Sequence, residues 1–237
     1  MSFKAKQTET NMNTLTNALD FINESMFYSR PIPQTQKRNL TALITDRQGK
    51  PGAYSTMFAP FPKEDISHYR LFTGESPSPL SAIHIIGEEC CRALLLLGIH
   101  NHKTTTAISK ANEVIVVNHL QRKRNPKQTF PKAFFCCPKC TCGLWRHYSA
   151  RTNATAEKVL SDGMKALKQW RNGKGGWTQF PAYYTLFTLL EIDMPQARKE
   201  LTYAAKSCEA TITKLRAPRG TYAQRRVDVL KRVLSLV

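Results

Sequence analysis

What the 237-residue chain lacks narrows the field first. No apolar run approaches the roughly 20 residues that span a bilayer; the longest, around Ala93–Ile99, falls far short. The opening stretch, MSFKAKQTETNMN, has no apolar signal core, so a cytoplasmic location with reduced thiols is expected. Acidic residues are scarce: 17 Asp+Glu face 35 Lys+Arg, a formal net charge of +18. Such a deficit draws polyanions, nucleic acid among them, or simply makes a cationic solvated surface. A Gly-x-Ser-x-Gly elbow, a phosphate loop and a dinucleotide fingerprint are all missing, so no nucleophile can be paired with a base. Cysteine is not scarce. There are seven, an odd number that fits reduced thiols better than a disulfide framework.

Hydrophobic residues make up 41% of the chain, enough for one substantial core. Residues 1–13 are polar and read as a disordered lead-in. Leu15, Leu19, Ile22 and Met26 then recur at helical spacing, with Thr14 or Asn13 as the cap and Arg30-Pro31-Ile32-Pro33 as the stop. Residues 34–78 hold two short apolar patches, Leu40–Ile44 and Tyr54–Phe61, around the turn residues 46–52. Proline at 60, 62, 77 and 79 points to an irregular arm, with a hairpin as the alternative.

From Ser78-Pro79, a cap residue followed by proline, a helix runs to Ile99. It is apolar on nearly every side except at His84, Glu88, Glu89 and Arg92, the mark of burial on more than one face. An amphipathic segment follows at Thr105–Arg122, with Ala107, Ala111, Val114, Val117 and Leu120 inward. Further amphipathic helices are expected at Thr155–Arg171, Gln196–Leu215 and Tyr222–Leu236. In the last, Val227, Leu230, Leu234 and Val237 face inward, and Arg225, Arg226, Lys231 and Arg232 outward. Three short, thickly apolar helices (RALLLLGI, GLWRHYSA, TLFTLLEI) each precede an amphipathic one, at a period of roughly 40–50 residues. The expected fold is all-α: an αα-hairpin repeat array over residues 79–237, apolar helices inside, with residues 14–78 packed on it as helix and arm.

Gln169, Gly173, Gly175, Gly176 and Trp177, followed by Phe180-Pro181, echo a Gln-to-Gly-Trp loop. With the alternating helices of residues 79–237, the layout resembles the α/α toroid of prenyltransferases and squalene-terpenoid cyclases. That resemblance implies a short, open arc whose concave face takes a hydrophobic small molecule or a protein partner. The Asp-x-Asp-Asp motif of the cyclases is absent, and so is a recognisable prenyltransferase zinc set, which puts the enzymatic reading in doubt.

Three constellations carry chemistry. Cys137-Pro138-Lys139-Cys140 has the spacing of a zinc half-site. Cys136 and Cys91 are further candidates for the metal, and Cys90, Cys142 or His147 could also close a four-ligand shell; the alternative is small buried residues at a tight helix start. His84 and Glu88 stand four apart on one helix face and, with Glu89 and Cys91, read as acid/base or metal-ligand groups. Alternatively the carboxylates belong to an internal salt-bridge network with Arg92, Arg146 or Arg47, in which case Glu88→Gln destabilises the fold. Trp145, His147, Trp177 and Tyr184 complete the expected ligand-binding set, with core packing as the alternative. Three functions follow: binding of an apolar ligand or partner, a nucleic-acid-associated protein with a Cys-ligated zinc, and an enzyme on a prenyl or polycyclic substrate.

Overall fold

The computed structural model describes residues 14–117, 134–214 and 218–237. Among the described residues every regular element is a helix: α1 Leu15–Phe27, α2 Gln34–Thr45, α3 Pro79–Leu97, α4 His102–Ile115, α5 Pro138–Ser149, α6 Ala154–Gln169, α7 Ala182–Leu189, α8 Pro195–Lys214 and α9 Thr221–Leu234. None is long and apolar enough to cross a membrane. The expected lead-in and Leu120 lie outside the described residues.

Side-chain oxygens cap α1, α3, α4 and α6: Thr14 and Ser78 sit where the sequence placed them, while α4 opens at His102 rather than Thr105 and α6 at Ala154 rather than Thr155. Thr14 accepts from the Asn17 amide, Ser78 from Ser81, Asn101 from Thr104 and Asn153 from Ala156, each satisfying a backbone donor that the first turn leaves open. Gly98 closes α3 in the left-handed region, where a side chain is strained.

The arm differs from expectation. It contains α2, whose buried stripe is only Leu40, Thr41, Ile44 and Thr45. So narrow a stripe among polar residues hides its period, and tertiary packing on α3 and α4 supplies what the pattern lacks. In place of a hairpin, Gln48 and Phe58 form an isolated antiparallel bridge. Val117, expected inward, is exposed, because the chain leaves regular helix after Ile115. Val237 is exposed as well, lying past the end of α9.

The helices form two rows. Odd-numbered helices neighbour one another in chain order, α1 to α3 to α5 to α7 to α9, and the even-numbered ones pack outside them. Arg225 then joins the ends of the inner row. Expected on the outer face of α9, it is buried and bonds Asp20 (2.7 and 2.8 Å) and Glu24 (2.6 Å) of α1 while lying over the Phe72 ring. Tyr28 donates to Asp228 at 2.7 Å beside it.

At the centre of this row sits a charge network. Arg146 of α5 forms an ion pair with Glu89 of α3 and reaches Glu191, just past α7, at 3.0 Å. Arg92 of α3 meets Glu191 at 2.6 Å. Asn23 of α1 accepts from both guanidiniums (2.7 and 2.8 Å) and donates to Glu89 at 3.2 Å. Tyr184 of α7 donates to Glu89 at 3.4 Å, and Phe187 lies under the Arg146 guanidinium at 4.2 Å. Burial works against the charge on Glu191, but Arg146 and Arg92 overcome it and hold its carboxyl below the usual range. Arg47 takes no part, donating instead to the Ala59 and Pro60 carbonyls.

Candidate metal centre

The loop into α5 and the second turn of α3 meet at four polar side chains. Cys137 is the N-cap of α5, its Sγ accepting from the Cys140 amide at 3.4 Å, and Pro138 fixes the first helical position. Thr141 locks the preceding loop by accepting from the Phe135 amide (3.0 Å) and donating to the Cys137 carbonyl (2.8 Å). Cys136 and Cys140 are thereby turned toward α3. There His84 Nδ1 stands 3.3 Å from Cys136 Sγ and 3.8 Å from Cys140 Sγ.

The donor atoms of His84, Cys136 and Cys140 all lie within 4.8 Å of one another. Tetrahedral zinc with arms of about 2.3 Å to sulfur and about 2.0 Å to nitrogen sets adjacent ligands about 3.5 Å apart. The two measured nitrogen–sulfur separations bracket that value. The imidazole is held by Tyr54, with ring centroids 4.0 Å apart, and by Phe135 at 5.3 Å. One turn back on α3, Ser81 supports the thiols: its hydroxyl lies 3.5 Å from Cys137 Sγ, and its carbonyl accepts from Cys140 Sγ at 3.9 Å.

The three neighbouring thiols do not share charge equally. Hydrogen bonds from Cys136, then Cys140, then Ser81 and the Cys140 amide hold Cys137 far below the ordinary thiol range. Its partners are driven the other way: Cys136 is pushed up to about 12, first by its bond to Cys137, and Cys140 is raised by Cys136 and then Cys137. One thiolate supported by two thiols is the proton-loaded form of a soft-ligand site.

Sequence-expected residues divide sharply between this place and the core. Of the metal set, Cys136 and Cys140 converge on His84, and Cys137 touches both while serving as the cap. Cys91 does not join them. It is fully buried nearly two turns further along α3, where burial raises its thiol. Glu88 is buried, and its carboxyl is pushed well above the usual range, chiefly by desolvation and then by the charge of Glu89. Its Oε2 has no hydrogen-bond partner among the described residues and lies where a Cβ on Gly143 would sit, at 2.4 Å. With His84 it lines a cavity of about 10 Å³, room for one water.

The other expected ligand-binding residues are core. Trp145 stacks on Phe180 and meets Phe134 edge-on. Trp177 donates to Glu200 at 2.9 Å, and Tyr184 belongs to the central network. His147 is fully buried, with neither ring nitrogen hydrogen-bonded to a described residue; burial, then the cations Arg151 and Arg92, lower its pKa to about 3. The sequence groups His84 with Cys91 of its own helix, whereas the fold brings it to Cys136 and Cys140. Comparison with family models, curated proteins and solved structures finds no match for the chain.

Proposed function

We propose that this protein binds a zinc ion through His84, Cys136 and Cys140, with Cys137 as the fourth ligand, and that the ion ties α3 to the start of α5. The single observation carrying this reading is the convergence within 4.8 Å of an imidazole from α3, a thiol from α5 and a thiol from the loop before it. Thiolate with imidazole is a zinc-type donor set, and a structural site is closed by four such ligands. Cys137 touches Cys136 and Cys140 but lies outside the converged trio, so its thiol has to turn toward His84 to become the fourth. The role is that of a clamp: binding to the folded chain alone stabilises it by about 4 kcal/mol at 1,000 times the dissociation constant.

Binding of an apolar ligand by the inner helices draws less support. The aromatic residues named for it are packed on one another, and the cavity beside His84 holds one water rather than an isoprenoid. Metal analysis tests the proposal. Protein purified without chelator should carry about one equivalent of zinc, and His84→Ala or Cys140→Ser should fall below about one-tenth. A wild-type content below about one-tenth, with no uptake on titration with zinc under reducing conditions, refutes it.

A further inference from the structure

The clamp leaves the positive charge surplus without a use, and part of that surplus lines one groove. Helices α6 and α8 with the loop 170–176 carry nine Lys and Arg against four Asp and Glu. Between the two helices lies an open groove of about 550 Å³, walled by Lys165, Lys168, Arg171, Lys199 and Tyr203, with Gln196 also lining it. One wall is rigid. Arg171 pairs with Glu200 through bonds of 2.9 and 3.0 Å, and its guanidinium lies 4.2 Å over the Tyr203 ring.

The cations of this groove are available. Lys165 has only a loose, exposed contact with Asp162 at 3.8 Å, and among the described residues no ion pair engages Lys168 or Lys199. Gln196 adds an independent sign of a missing ligand: its Oε1 is buried and has no hydrogen-bond donor among the described residues. The groove therefore offers ammonium groups to an anion and a buried acceptor to a donor. A flat membrane cannot reach a recessed acceptor, and an acidic peptide carries its donors on the backbone, set back from its carboxylates. Nucleic acid presents phosphate oxygens together with hydroxyl and amino donors. Unpaired bases also leave their faces open to a Tyr-Arg wall.

We propose that the α6/α8 groove binds single-stranded nucleic acid, with phosphates against Lys165, Lys168 and Lys199 and a sugar hydroxyl or base amino group donating to Gln196 Oε1. The site is separate from the metal centre, and its test does not depend on zinc.

Fluorescence anisotropy with labelled oligo(dT) and oligo(rU) of about 20 nucleotides, titrated over a salt series, measures affinity and its salt slope. Three phosphate contacts at about 0.7 each predict that K165A/K168A/K199A flattens the slope of log K against log salt by about 2. A control triple of equal charge change on exposed lysines elsewhere, K50A/K63A/K110A, should leave the slope close to wild type. Gln196→Ala should weaken binding about three- to tenfold, the worth of one hydrogen bond, with the slope unchanged. Three results would overturn the inference: no salt-dependent binding by wild type, an equal loss in both triples, or polyglutamate or anionic vesicles bound as tightly as the oligonucleotides.

Discussion

Replacing Arg146 with methionine removes the guanidinium at the hub of the inner helix row while keeping most of the side chain's volume. In the wild type that group neutralises Glu89 and shares Glu191 with Arg92, and both Arg146 and Glu89 are almost fully buried. Its loss leaves Glu89 with the Asn23 amide, the Tyr184 hydroxyl and a distant Arg92 at 3.7 Å. Breaking a buried pair on one side costs about 3–5 kcal/mol, most of it the penalty of stranding the remaining charge. Against a total stability of about 5–15 kcal/mol, that is a large fraction. With an m-value near 3 kcal/mol/M, the urea midpoint should fall by about 1–1.7 M. Glu89→Gln in the Arg146→Met background should return part of the loss, since it deletes the stranded charge; a coupling of about 1–3 kcal/mol in the double-mutant cycle is expected.

Acid adds an independent arm. The folded carboxyl of Glu191 lies below its ordinary value of 4.5, so the stability it contributes is present above that value and is lost as pH falls through the folded one. In Arg146→Met the depression shrinks, and the stability curve below about pH 4.5 should be shallower than wild type. An Arg146→Met protein within about 0.5 kcal/mol of wild type at pH 7, or a cycle without coupling, would refute the view that this network carries the inner row.

Glu88→Gln should behave unlike Glu89→Gln. Burial favours the neutral form of Glu88 and no cation pairs with it among the described residues, so an amide of the same shape should shift the urea midpoint by less than about 0.3 M, whereas Glu89→Gln removes a charge that Arg146 needs and should cost several times more. His147 makes the protein acid-sensitive near pH 6: its folded value of about 3 against 6.5 means the unfolded chain takes up the proton first, so stability is complete above 6.5 and falls as pH drops toward 3. At pH 5 that is a loss of about 2 kcal/mol, which His147→Leu should abolish when urea midpoints at pH 7 and 5 are compared.

The starts of α1 and α3 were legible because their physics is local: Thr14 and Ser78 each act on an amide three residues away, whereas the caps Asn101 and Asn153 went unread beside the threonines that follow them. Class and order of elements follow from those two starts and the apolar periods. Helix α2 was not legible, since its four buried residues gain their stability from α3 and α4 rather than from propensity. Arg225 was misplaced for a related reason. A charged residue on the edge of an apolar stripe is counted as outward unless its partners are known, and Asp20 and Glu24 lie some 200 residues away. Choosing between Glu88 and Glu89 turns on about 100° of helix phase, which sets one toward Arg146 and the other toward Gly143.

Register is what joins these cases to the metal centre. α3 and α5 run side by side in the same direction, as Ser81 beside Cys140 and Glu89 beside Arg146 require. Counted from Pro79 and Pro138, Glu89 is ten residues in and its partner Arg146 eight; His84 is five in and Cys140 two. A stagger of two to three residues therefore accounts for both the ion pair and the thiol–imidazole contact. Cys91, twelve residues in, falls level with Tyr148, about 10 Å further along the axis than His84. No side-chain rotation spans that gap. The Cys137-x-x-Cys140 spacing alone left the remaining ligands open among all the nearby thiols; the parallel register of two proline-started helices selects His84 and excludes Cys91.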